Sequence, residues 1–116
     1  MAKTILLLGR KGIIVSDAQS QLPDPGLKIY TGTNIEDVKA AFEKEAEGNG
    51  RIDYVFMGAG IELEKRLEIV REVYERSRVT SVFLKDAESG PGGFLAFVRG
   101  VLRGVEGGVE VDAQLL

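Results

Sequence analysis

The chain has 116 residues, 44% of them hydrophobic and 28% charged, which is the balance of an ordinary folded domain and too apolar for a disordered segment. Its formal charge of −3 argues against a protein that lives on nucleic acid or on anionic membrane, since both demand a basic face. Cysteine and histidine are both absent, which removes disulfides, thiolate metal sites, most zinc sites, and Ser-His-Asp or Cys-His catalysis.

Met1-Ala2-Lys3-Thr4 leads into only four apolar residues, Ile5-Leu6-Leu7-Leu8, too few for a signal-peptide core or a membrane span, so the cytoplasm is the expected compartment. A continuous apolar run of this length suits a central strand covered by helices on both faces. Gly9-Arg10-Lys11-Gly12 breaks the run. Ser16 with Gln19 three residues on has the form of a capping box, predicting a short helix that ends near Leu22. Pro23-Asp24-Pro25-Gly26 forces a turn, and a second strand over residues 27–30 runs into Thr31-Gly32-Thr33.

Asn34 is a good N-cap, with Glu36 and Asp37 in the first turn and Val38, Ala41 and Phe42 on one side of the helix that follows. Gly48-Asn49-Gly50 ends that helix, and residues 52–57 form a third strand, apolar along Tyr54-Val55-Phe56-Met57 and again central. After Gly58-Ala59-Gly60 comes the clearest helix, in which Leu63, Leu67, Val70 and Tyr74 recur at helical spacing as the expected core face. Its other side, with Glu64, Lys65, Glu68, Arg71, Glu72 and Glu75, reads as solvated. A fourth strand over residues 79–84 precedes the loop Lys85-Asp86-Ala87-Glu88-Ser89-Gly90-Pro91-Gly92-Gly93. The last helix presents Phe94, Leu95, Phe97, Val98, Val101, Leu102 and Val105, a stripe wider than one sheet face requires, to be covered by a partner chain or by the C-terminal tail. Val109-Glu110-Val111 alternates and offers a short edge strand, inside the molecule or across a dimer.

Strand and helix thus alternate four times, without an internal repeat or a linker to a second domain, so residues 1–116 read as one domain. Right-handed crossovers then give a small three-layer α/β/α sandwich, Rossmann-like or flavodoxin-like, with a four-stranded parallel sheet in the order 2-1-3-4. A competing reading pairs residues 5–8 and 13–15 as a hairpin around Gly9 to Gly12, which gives an α+β sheet instead.

In a doubly wound sheet, ligands collect at the carboxyl ends of the strands where the strand order reverses, here between the first and third strands. Four loops converge there, and the candidate binding residues are Gly9, Arg10, Lys11, Gly12, Thr31, Thr33, Gly58, Gly60, Lys85 and Ser89, with Ser16 as a further hydroxyl. Glycines let the backbone approach a ligand, helix N-termini offer N–H groups to an anion, and the cations add charge-assisted bonds to phosphate or carboxylate. The bland alternative is that such glycines only close strand-to-helix turns. Gly-Arg-Lys-Gly lacks the length and the Lys-Ser/Thr ending of a triphosphate loop, and neither cluster completes Gly-x-Gly-x-x-Gly.

Gly50-Arg51-Ile52-Asp53-Tyr54-Val55 followed by Gly58-Ala59-Gly60-Ile61 resembles the strand and Asn-Asn-Ala-Gly segment of short-chain dehydrogenases, a resemblance that implies a loop lying over a dinucleotide. Met57-Gly58 stand where that family has two asparagines, and Tyr74 is followed at the catalytic spacing by Arg78, not lysine. The order of elements is also similar to a response-regulator receiver lacking its last strand and helix. Where receivers carry an acidic pair and a phosphoacceptor aspartate, this chain has Gly9-Arg10 and Gly58-Ala59, so phosphotransfer to aspartate is excluded.

Three functions are consistent with these residues. The first is a module that binds a phosphorylated or carboxylated, nucleotide-like molecule. The second is an interaction or scaffold protein that forms a homodimer through the Phe94 to Val105 helix or the Val109-Glu110-Val111 strand. The third is a histidine-free enzyme centred on Lys85 and Asp86, with Glu88, Asp17 and Tyr30 as weaker candidates. No metal site is expected, and no cofactor is specified.

Overall fold

Four strands and four helices alternate along the computed structural model, which describes residues 3–22, 26–85 and 93–107. They are β1 (Lys3–Leu8), α1 (Gly12–Ser20), β2 (Leu27–Gly32), α2 (Ile35–Glu47), β3 (Tyr54–Met57), α3 (Leu63–Arg76), β4 (Ser81–Leu84) and α4 (Phe94–Gly107). All strand pairs are parallel and the order is β2-β1-β3-β4, as the alternation predicts.

The centre of the sheet is set by β1. Ile5, Leu6, Leu7 and Leu8 are each 0% exposed, which requires cover on both faces. Leu6 and Leu8 pack with Val38, Ala41 and Phe42 of α2 and with Ile69 and Val73 of α3. Ile5 and Leu7 pack on the opposite face with Val15 and Ala18 of α1 and with Phe94 and Val98 of α4. Burying side chains of this size contributes roughly 1.5–3 kcal/mol each, so the two layers are mutually dependent through one strand.

Three helices differ in detail from their sequence reading. The first begins at Gly12, which rules out the hairpin and leaves Ser16 exposed in mid-helix instead of at a cap. Burial of Val15 and Ala18 against the sheet sets this start, overriding the capping signal. In α3 the predicted core face holds only at Val70, which packs against the core: Leu63, Leu67 and Tyr74 are 68%, 55% and 61% exposed, while Ile69 and Val73 are buried. The cause is two apolar lines on one helix: the core takes Ile69 and Val73 from one and only Val70 from the other. In α4 the wide stripe is largely absorbed by the sheet, since Phe97 meets Phe56 edge-on at 6.1 Å and Leu95, Val101 and Leu102 pack beside it. The turn at residues 23–25 and the strand expected at Val109-Glu110-Val111 lie outside the described residues.

At the amino end of the sheet, Glu45 is buried at the end of α2. It accepts a hydrogen bond from the Tyr30 hydroxyl at 2.7 Å and pairs with Lys28 Nζ at 2.6 Å. Gly50 leaves room for this carboxylate, because a Cβ there would overlap Glu45 Oε2. The Lys28 ammonium and then the Tyr30 hydroxyl hold the Glu45 carboxyl below its ordinary range. A depressed folded pKa means stability that is present above the unfolded value and lost as pH falls through the folded one. Glu45→Gln is therefore expected to cost about 1 kcal/mol at neutral pH and nothing once the carboxyl is protonated, as measured by urea unfolding across the acid limb.

Candidate functional site

The strands end in register. Leu8 pairs with Gly32 and with Met57, and Met57 pairs with Leu84, so the four following loops rise from one row. The ladder runs one step further through Gly9 N–H to Gly32 O, Gly58 N–H to Leu8 O and Lys85 N–H to Met57 O. Because α1 leaves β1 on one face and α3 leaves β3 on the other, a crevice opens between them.

That crevice is a cavity of about 320 Å³ lined by Gly9, Arg10, Lys11, Ile14, Gly58, Ala59, Gly60 and Phe94. Its shape depends on two glycines. A Cβ at Gly9 would stand 3.0 Å from Val15 Cγ1, so a larger residue there would push Val15 and α1 back from β1. A Cβ at Gly60 would stand 3.1 Å from Arg10 Cβ, so Gly60 lets Arg10 cross the neighbouring loop. Phe94 closes the side of α4 with its ring against Gly58.

The electrostatics of the crevice come from α1. Lys11 occupies its N-cap position without a side-chain cap, and its first turn holds no acidic residue. The opposite holds for α2, where Asn34 accepts from Asp37 N–H at 3.0 Å and Glu36 and Asp37 complement the helix dipole. The start of α1 thus lies at the cavity rim, beside the exposed side chains of Arg10 and Lys11. Neither cation forms a salt bridge to a described residue.

Of the residues expected at the site, Gly9, Arg10, Lys11, Gly58 and Gly60 line the cavity, and Gly12 opens the adjoining helix. Thr31 and Thr33 do not line it. Asp37 Oδ2 accepts the Thr33 N–H at 2.8 Å and lies against Gly32, which holds this loop on the first turn of α2. Lys85 is 2% exposed and is not among the lining residues; its side chain runs beside Gly93. Ser89, Asp86 and Glu88 lie outside the described residues. Asp17 and Ser16 are exposed on α1, and Tyr30 is engaged with Glu45 at the other end of the sheet.

The residue that sequence reasoning missed is Arg66. Its guanidinium donates to Ile61 O at 3.0 Å, to Lys85 O at 3.0 Å and to Gly58 O at 2.7 Å. One side chain thereby ties the loop after β3 to the first residue after β4. Arg66 sits three residues before Ile69 and seven before Val73, on the buried side of α3, and a helix read in that phase would have shown a cation aimed at the sheet. Among the described residues no group of three or more acidic side chains gathers as a metal site requires, and no helix is long and apolar enough to cross a membrane.

Fold and crevice together define a doubly wound α/β domain with its loops gathered at the topological switch point. No protein-family model, curated protein or solved structure matches the chain.

Replacing Arg66 by Met keeps the aliphatic stem but leaves the three carbonyls without their shared donor. The expected loss is roughly 2–4 kcal/mol in urea unfolding, with Arg66→Lys recovering less than half of it, because an ammonium cannot span carbonyls held by a planar fork.

Proposed function

We propose that this domain binds one small phosphorylated or carboxylated molecule, of about mononucleotide size, in the crevice between the residue 9–12 and 58–60 loops. The observation that carries the proposal is the meeting, on one cavity rim, of an uncapped helix N-terminus with the exposed Arg10 and Lys11. Main-chain N–H groups and the two cations suit an anionic head, which a helix start favours over any neutral group. Ile14, Ala59 and Phe94 supply an apolar wall for the remainder of the ligand. A volume of about 320 Å³ is at the lower end for ligand sites, which favours a mononucleotide or a sugar phosphate over a dinucleotide.

The test is a thermal-shift screen of mononucleotides, sugar phosphates, dicarboxylates and inorganic phosphate, followed by amide chemical-shift mapping of the strongest hit. A ligand at a hundredfold excess over its Kd is expected to stabilise the fold by about 2.7 kcal/mol. Its shifts are expected to concentrate in residues 9–14 and 58–61, and Arg10→Ala/Lys11→Ala should weaken it by at least tenfold. Silence across the screen, or affinity unchanged in the double variant, would count against an anion site here.

A further inference from the structure

The two edges of the sheet are not alike. On β2 the outer strand carries Lys28, 60% exposed and paired to Glu45, a charge of the kind that keeps an edge from pairing with another chain. The outer strand β4 has the sequence Ser-Val-Phe-Leu and carries no charge. Ser81 N–H bonds to Asp53 O and Lys85 N–H to Met57 O, so by the period of two the backbone groups of Val82 and Leu84 point away from β3 to the open side.

The misphased line of α3 lies over this same edge. Glu68, Arg71, Glu72 and Glu75 share a groove with Ile35 of α2, and Arg76 pairs with Glu43, which puts the acidic flank of α3 toward α2. Leu63, Leu67 and Tyr74 fall on the other flank, above β4. Val82 packs into the core beneath α3, and Leu84, two residues on, shares its face and is 45% exposed. With Val79, 59% exposed at the entry to β4, these side chains leave an apolar strip beside a strand that has no second strand partner among the described residues.

We propose that this edge is a homodimer interface, in which β4 pairs antiparallel with β4 of a second copy and the Leu63–Leu67–Tyr74 lines of the two α3 helices pack together. A second copy fits because the surface is self-complementary under a two-fold axis: each copy offers a strand edge with no further strand partner among the described residues, and the same apolar flank beside it. The pairing closes on itself and gives an eight-stranded sheet, within the range of open α/β sheets. The five exposed side chains present on the order of 500 Å² per copy, so two copies together reach the roughly 1,000 Å² at which specific interfaces begin, before the strand backbone is added. The proposal is independent of the crevice, which lies at the carboxyl end of β1 and β3 and would stay open in the dimer.

The test is sedimentation equilibrium of the full chain at micromolar concentration, with circular dichroism as the control for folding. The unsubstituted protein is expected at twice the 12.6 kDa of one chain. Leu67→Lys, at an exposed position, should raise the dimer dissociation constant roughly 100-fold or more while the helical signal is unchanged. Leu84→Pro removes an outward N–H without touching the β3 ladder and should act in the same direction. A monomeric parent overturns the proposal, as does a dimer that survives both substitutions. Dissociation only by Phe97→Glu would place the contact on α4, and dissociation only by Val109→Pro/Val111→Pro would give it to the C-terminal segment; either result also overturns it.

Discussion

The guanidinium of Arg66 holds together the part of this molecule where a site can exist. A parallel sheet positions its loops only as far as the last ladder bond, and the strand pairing of β3 with β4 ends at Met57 and Leu84. Arg66 supplies one donor fork for three of them, from Gly58, Ile61 and Lys85, and so converts two independent loop exits into one rigid shelf. Gly60 then meets Arg10 from the neighbouring loop closely enough that a Cβ there would press on the Arg10 side chain. The crevice between β1 and β3 is thus built on backbone geometry, stabilised from below by one half-buried cation.

Much of this architecture is legible in the sequence because it is written in periods and interruptions. Four apolar runs separated by helical segments specify the parallel sheet and its order, and the glycine clusters after Leu8 and Met57 mark the cavity walls. What is not legible follows from competition between local and tertiary terms. Ser16 and Gln19 spell a cap, yet the burial of Val15 and Ala18 starts α1 a full turn earlier. In α3, Leu63, Leu67, Val70 and Tyr74 form the longer apolar line, but Ile69 and Val73 fit the sheet while keeping Arg66 on the carbonyls. Hydropathy counts apolar atoms; it does not count the hydrogen bonds that one rotation of the helix makes and another loses.

The same rotation explains why the molecule has an asymmetric surface. Turning Arg66 inward turns Leu63, Leu67 and Tyr74 outward, so the order of the loop shelf and the exposure of an apolar flank are two results of one helix phase. On the opposite edge, β2 is closed by the Lys28, Tyr30 and Glu45 cluster, which anchors its outer side to α2. Stability, site geometry and the character of the free edge are therefore coupled through two short polar networks at opposite ends of the sheet.

The placement of Arg10 and Lys11 separates the shape of the crevice from its charge. Gly9 and Gly60 are tightly approached by their neighbours and Phe94 is core, so substitutions there disturb the packing that shapes the crevice. Arg10 and Lys11 are both exposed, and Lys11 caps nothing with its side chain. Exchanges at these two positions carry little structural penalty. The charge on the crevice rim can therefore be inverted or removed by rewriting two adjacent residues on an otherwise unaltered frame.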